Sequence, residues 1–284
     1  MQRFEDWISD RKIPVGAEIA GLIDSLKDHS QLVFDAIRTG VGGTIDGFTA
    51  MLEAVPAPLM LVLMVALAYA IRRSWRLCVF VALALLFIMN QGYWTETLET
   101  LSLVLFSALI STLIGVPLGI AAAHRPWLFR ALRPLLDLMQ TLPTFVYLIP
   151  TLVLFGLGAV PGLISTIIFA MSAPIRLTQL GITSVPRPLI EAGEAFGATK
   201  SQLLWKVELP SALPTIMAGI TQCIMLSLSM VVIAALVGAG GLGVPVVRAL
   251  NTMRVDLGFE SGLAIVLLAI ILDRVCRPAE RLAP

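Results

Sequence analysis

Charge is scarce in this sequence. Of its 284 residues, 14% are Asp, Glu, Lys or Arg and 57% are hydrophobic, whereas soluble domains carry about a quarter charged. This scarcity excludes a soluble globular domain for most of the chain. The net charge of +1 excludes a surface built for nucleic acid. Three cysteines, Cys78, Cys223 and Cys276, lie in or beside apolar runs. They are too few and too dispersed for a disulfide framework or a zinc site. Only two histidines occur, His29 and His124, and both read as isolated. No acid–base or nucleophile pairing points to an active site, so no enzyme is expected. No G-x-x-x-x-G-K-[ST] phosphate loop exists, and Gly197-Ala198-Thr199-Lys200-Ser201 has the residue types at the wrong spacing. Gly238, Gly240, Gly241 and Gly243 satisfy G-x-G-x-x-G. No strand precedes them and no acid follows at the required distance, so they read as a sharp bend between spans. The first residues, MQRFEDWISDRK, carry acids with no apolar stretch behind them and are not expected to be a cleaved secretory signal.

What the chain does have is long apolar runs. A helix needs about 20 residues to cross a bilayer. Ala54–Ile71 qualifies, with Pro56 and Pro58 near its start. Leu77–Trp94 follows a basic turn, and Leu101–Ala123 follows TETLET. Leu138–Ile175 is long enough for two crossings, with Gly156, Gly158, Pro161 and Gly162 marking the turn. After a polar stretch, Ser211–Val237 and Ser261–Leu272 complete the set. The expectation is an all-α integral membrane protein of about seven transmembrane helices. Its parts are a tail over 1–53, two accessory helices over 54–100, a core over 101–273 with a polar segment at 176–210, and a tail over 274–284. In the first tail Phe34, Ile37, Val41, Ile45, Phe48 and Leu52 recur at steps of three and four. That spacing is one face of an amphipathic helix, lying on the membrane or packed on the protein. Gly40, Gly42 and Gly43 weaken the helix.

Lys and Arg set the orientation. Arg72, Arg73 and Arg76 share one connection, and Arg125, Arg130 and Arg133 another. Arg176, Arg187, Lys200 and Lys206 lie in the polar stretch, and Arg274, Arg277 and Arg281 near the end. The alternate connections TETLET and GLGAVPG have neither residue. Seven spans with the basic loops in the cytoplasm put the N-terminus outside and the C-terminus inside. Arg248 and Arg254 then fall outside, mildly against the rule.

The polar stretch reads LIEAGEAFGATKSQLLWKVELPSALPTIMAG, with Pro186 and Pro188 before it and Pro210 and Pro214 at its end. Two short helices are expected, Leu189–Phe196 and Ser201–Val207, joined at Gly197 into a knob that docks on a soluble partner. Glu191-Ala192-Gly193, then Gly197, then Leu209-Pro210 resembles the EAA signature of bacterial ATP-binding-cassette import permeases. Gly193 stands where the signature usually has Ala, which keeps a small residue but lowers helix stability by about 1 kcal/mol. The wider runs RPLLDLMQTLPTFVYLIPTLVLFGLG, PTIMAGITQCIMLSLSMVVIAALVGAGGLG and LAIVLLAIILDR resemble the quaternary-amine branch of these MetI-like, binding-protein-dependent permeases, whose members import glycine betaine, proline betaine or choline. The resemblance covers roughly Leu101 to Arg274, with the N-terminal tail outside it. It implies a multi-pass protein of the bacterial inner membrane with no cofactor of its own. Glu191, Ala192, Gly193, Gly197, Leu209 and Pro210 would form the ATPase-coupling segment. Implied partners are a second copy of the chain, two ATP-binding subunits carrying ATP and Mg, and an external substrate-binding protein. A cage for the quaternary ammonium would sit on that binding protein.

Two groups of residues are candidates for a translocation path. Ser211, Thr215, Ala218, Gln222, Met225 and Ser229 form one stripe along the sixth span. Such stripes serve helix packing or line a path. Gln140, Thr141, Pro143, Thr144 and Tyr147 open the fourth span, where Pro143 and Pro150 free backbone carbonyls. Asp137 is the carboxylate nearest hydrocarbon, and an i,i+4 ion pair with Arg133 is expected for it. An ion-coupled secondary transporter, the alternative, wants several intramembrane acids and finds only this one.

Overall fold

The computed structural model describes residues 14–277, so residues 1–13 and the end of the C-terminal tail with Arg281 lie outside the described residues. The described residues are helical throughout, with short connections. The helices are α1 (Val15–Glu53), α2 (Ala57–Arg72), α3 (Trp75–Asn90), α4 (Trp94–His124), α5 (Pro126–Thr141), α6 (Thr144–Phe155), α7 (Ala159–Ala170), α8 (Ser172–Thr183), α9 (Arg187–Ala195), α10 (Lys200–Leu203), α11 (Leu209–Ala235), α12 (Gly243–Thr252) and α13 (Val255–Cys276). A π-helical turn, Leu204–Glu208, joins α10 to α11.

Four stretches are long and apolar enough to cross a membrane: α4, Ala159–Thr183 through α7 and α8, Lys200–Ala235 through α11, and α13. Two bent pairs, α1 with α2 and α5 with α6, qualify only when each is taken as one span, and α3 is a shorter apolar helix. These are the apolar segments expected from the sequence, in the same order. Several depart from straight crossings. Helices α2 and α3 have 16 residues each, about 24 Å at 1.5 Å per residue against about 30 Å of hydrocarbon. The run from Leu138 does not begin a fresh span: α5 carries through Thr141, and the chain then bends by 99° into α6. Pro143 has no N–H and restricts Leu142 to an extended conformation (ψ 134°), which ends α5 there.

TETLET is not a connection either. It forms the first turns of α4, and the turn falls at Gln91–Tyr93, where Gly92 has φ +78°. Thr97 and Thr100 donate to the carbonyls of Tyr93 and Glu96 one turn back. Their hydroxyls are thereby satisfied inside the helix, and a polar sequence continues as span.

The core is a three-helix seam of α4, α8 and α11. Small residues let the backbones approach, as membrane helices require where no hydrophobic effect drives them together. A Cβ on Gly119 would lie 2.6 Å from Thr178 Cβ, and one on Gly219 2.9 Å from Leu177 Cβ. Leu85, Ile88, Val104, Leu228 and Leu268 fill an adjoining cluster that seats α3 and α13.

The first helix runs from Val15 through Glu53, with one kink at Ser30, so the glycines at 40, 42 and 43 do not break it. Its second half packs on the protein. Phe34 meets Phe155 and Phe48 meets Phe106 edge to face, both with centroids 5.3 Å apart. Ile45 is buried against Leu103, Leu163, Ala234 and Ala239. Gly42 faces Val160, which gives the glycine a packing reason. The angle of 101° to α2 lays this helix across the spans rather than along them.

Candidate functional site

The knob expected between the fifth and sixth spans is present and begins at Arg187. Arg176 remains within α8. Helix α9 buries none of its residues, so it projects from the body. Its end is fully specified by local chemistry. Ala198 N–H donates to Gly193 O and Gly197 N–H to Glu194 O, with Gly197 at φ +76°. These two bonds and the left-handed glycine make a Schellman stop. Thr199 then starts α10 with a capping box: its hydroxyl accepts from Gln202 N–H, and the Gln202 side chain accepts from Thr199 N–H. The angle between the two short helices is therefore set by residues 193–202.

Glu191 and Ala192 are exposed on α9. Gly193 faces inward, and a Cβ there would lie 2.7 Å from Leu203 Cδ1. The departure from Ala thus has a partner, because Leu203, itself buried, occupies the space. Phe196 at 92% and Trp205 at 68% exposure give the knob two large apolar side chains without cover. Pro210 has no N–H to donate to the Lys206 carbonyl, and the preceding turn widens to π geometry, with Leu209 N–H reaching Leu204 O.

One contact at the root of the knob was missed in the sequence. Glu208 is buried, and its Oε2 lies 2.8 Å from Nε2 of His124, the last residue of α4. His124 is therefore not isolated. The two are 84 residues apart, and no spacing rule joins them.

The α5–α6 bend is held by polar contacts to α8. Arg176 Nη2 donates to Asp137 Oδ1 at 2.6 Å, and Gln140 Nε2 to Ser172 Oγ at 3.2 Å. The expected Arg133 pair is replaced, because Leu136 and Met139 of α5 pack against Ile175 of α8 and bring Arg176 alongside Asp137. The Tyr147 hydroxyl donates to Met139 O at 2.7 Å across the bend, so this residue is buried and committed. Thr141 donates to the Asp137 carbonyl, and Thr144 opens α6 half-buried. Gln140 and Thr141 thus lie at the end of one helix and Thr144 and Tyr147 on the next. On α11, Ser211, Ala218, Gln222 and Ser229 are exposed, and Thr215 and Met225 are half-buried, forming one uncovered stripe. The stripe and the bend contacts are separate features.

The glycine run also has a structural use. Gly241 N–H donates to the Glu99 carboxylate, and Leu242 N–H donates to Thr100 Oγ1 at 2.8 Å. A Cβ on Gly240 would lie 2.5 Å from Glu99 Oε2, so the glycines let the loop close tightly over the α4 carboxylate. Among the described residues no His, Cys, Asp or Glu group could hold a metal.

Comparison with known proteins places this geometry. Residues 115–276 match the family described as binding-protein-dependent transport system inner membrane component. The chain is 46% identical over 261 residues to the glycine betaine transport system permease protein OpuAB of Bacillus subtilis, covering 90% of this chain and 92% of that one. It is 44% identical over 274 residues to the glycine betaine/carnitine transport permease protein GbuB of Listeria monocytogenes, covering 95% and 97%. Against the glycine betaine/proline betaine transport system permease protein ProW of Escherichia coli it is 44% identical, covering 95% and 76%. A match over 95% of the chain extends the similarity into the N-terminal region, beyond the limit expected at Leu101. Among solved structures, an inward-facing MetNI methionine ABC transporter matches with a TM-score of 0.57 at 26% identity, covering 63% of this chain and 92% of that one. The ATP-driven reading therefore stands over the ion-coupled alternative. By its sequence, its helical architecture and these relatives, the chain belongs to the binding-protein-dependent transport system inner membrane component family, as the non-catalytic, membrane-spanning permease subunit of an ATP-binding-cassette importer.

Proposed function

We propose that this permease imports a quaternary or methylated amine, with glycine betaine as the first candidate and proline betaine and choline as close alternatives. The observation that carries this is identity of 44–46% over at least 90% of the chain with three permeases, each named for glycine betaine. Two copies of the chain pair in the inner membrane. Two ATP-binding subunits, which hold the ATP and Mg, dock on Glu191, Ala192, Gly193, Gly197, Leu209 and Pro210. The exposure of α9, Phe196 and Trp205 supports that docking surface. An extracytoplasmic binding protein delivers the amine.

The path between two copies runs along the α11 stripe with Gln222, Met225 and Ser229. Gln140, Thr141, Thr144 and Tyr147 shape the α5–α6 bend beside it. The stripe has no charge, which suits a path that releases a cation rather than holding it. Nucleotide binding closes the ATPases, moves the knobs and turns the spans outward to accept substrate. Reopening releases it inward.

The test is reconstitution in proteoliposomes with binding protein and ATPase, each component omitted in turn. Radiolabelled glycine betaine should accumulate only when all are present, and the permease alone should hydrolyse no ATP. Uptake of a sugar or peptide with no response to methylated amines would overturn the substrate. Accumulation by the permease alone under an imposed ion gradient would overturn the ATP-driven mechanism.

A further inference from the structure

Among the described residues, Glu208 is the one charged side chain in the buried core, 6% exposed. A buried carboxylate is costly unless something neutralises it. His124 gives this one a hydrogen-bonding partner. Nδ1 lies 3.0 Å from the Ile120 carbonyl one turn back. Nε2 lies 2.8 Å from the Glu208 carboxylate, so the imidazole bridges the α4 backbone and the buried acid.

Position gives the pair its meaning. Glu208 ends the π-helical turn that connects the knob to α11, and His124 ends α4. Two of the three core helices thus meet at the root of the knob through one side-chain contact. At its other end α4 holds the loop after α11 through Glu99 and Thr100. Displacement of residues 187–208 therefore reaches α4 directly and not only through α11.

We propose that His124 and Glu208 are positioning residues that carry motion of the docking knob into α4. This rests on the function proposed above. In the full reconstituted complex, His124→Ala and Glu208→Ala should lower amine uptake per ATP hydrolysed about tenfold, the factor equivalent to about 1.4 kcal/mol. Glu208→Gln should restore coupling, because its amide N–H donates to the neutral imidazole, and His124→Arg should restore it as an ion pair. Uptake and hydrolysis falling together in the alanine variants, or neither changing, would overturn the proposal.

A second reading needs no substrate. Spin labels at Leu113 on α4 and Leu189 on α9, both exposed, should keep their distance when ATP binds the wild-type complex and change it in His124→Ala. An unchanged distance in that variant overturns the tie even if the transported compound is not an amine. Absence of wild-type betaine uptake, with the label distances behaving as expected, overturns the substrate instead.

Discussion

Gly197 sits at φ +76° and donates one of the two bonds of the Schellman stop. A side chain at that angle costs about 1–2 kcal/mol, and Asn bears it better than other residues. Gly197→Leu should leave the amount of inserted protein unchanged and lower ATPase docking and uptake about tenfold or more, since 1.4 kcal/mol is a factor of ten. Gly197→Asn should retain most of both. Co-purification of the ATPase subunit, alongside uptake, checks this, and normal uptake by the Leu variant would mean that the knob is not the coupling element. Gly193 works differently, through space rather than backbone angle, because Leu203 occupies the volume that an alanine methyl would take. The motif was readable because its glycine and both caps lie within a dozen or so consecutive positions, where local rules operate. The His124–Glu208 contact was not, because only the packing of α4 against the root of α11 brings its members together.

Helix α5 meets α6 at 99°, and the polar contacts to α8 fix that angle. A partly exposed ion pair contributes little by itself, about 0–1 kcal/mol, so the value of Asp137–Arg176 lies in orientation. Asp137→Arg should place two guanidinium groups together, open the bend and reduce uptake severalfold. Adding Arg176→Asp should recover it. Failure of the double variant to recover uptake would show that these charges do more than hold the angle. The bend itself was hidden in the sequence for a physical reason. The bend falls inside a single expected apolar run, and Pro143, which ends α5, looks no different from Pro150, which stays inside α6. The long periodic element over Phe34–Leu52 was visible despite its glycines, because the apolar face repeats over five turns. What it packs against was not, since periodicity marks a face to be buried and is silent on what covers it. Likewise, TETLET read as a loop on polarity alone, while hydroxyl groups bonded one turn back let it remain helix.

For the whole molecule, the basic connections predict one orientation. Reporter fusions at Asp10 and Ala283 should report opposite sides, the first outside and the second in the cytoplasm. Both ends on one side would leave six or eight crossings. The side matters because the knob and the first helix pack at different places on the spans. The knob roots at the end of α4 marked by His124, whereas α1 lies against Leu103 and Phe106, closer to the end that carries Glu99. A subunit built this way presents an exposed knob at one end and a helical cover toward the other, joined by the α4–α8–α11 seam.

The cover imposes an order of assembly. Helix α1 is made first, yet every surface that receives it comes later: Phe106, then Phe155 and Leu163, and finally Ala234 and Ala239. At about 5–20 residues per second, the chain from Ile45 to Ala239 takes roughly ten to forty seconds to synthesise. Phe48 waits for Phe106 and Phe34 for Phe155, and the seat of Ile45 is complete only with Ala239. This helix is thus made before every surface that houses it, and its seat is complete only once the loop after α11 has been synthesised.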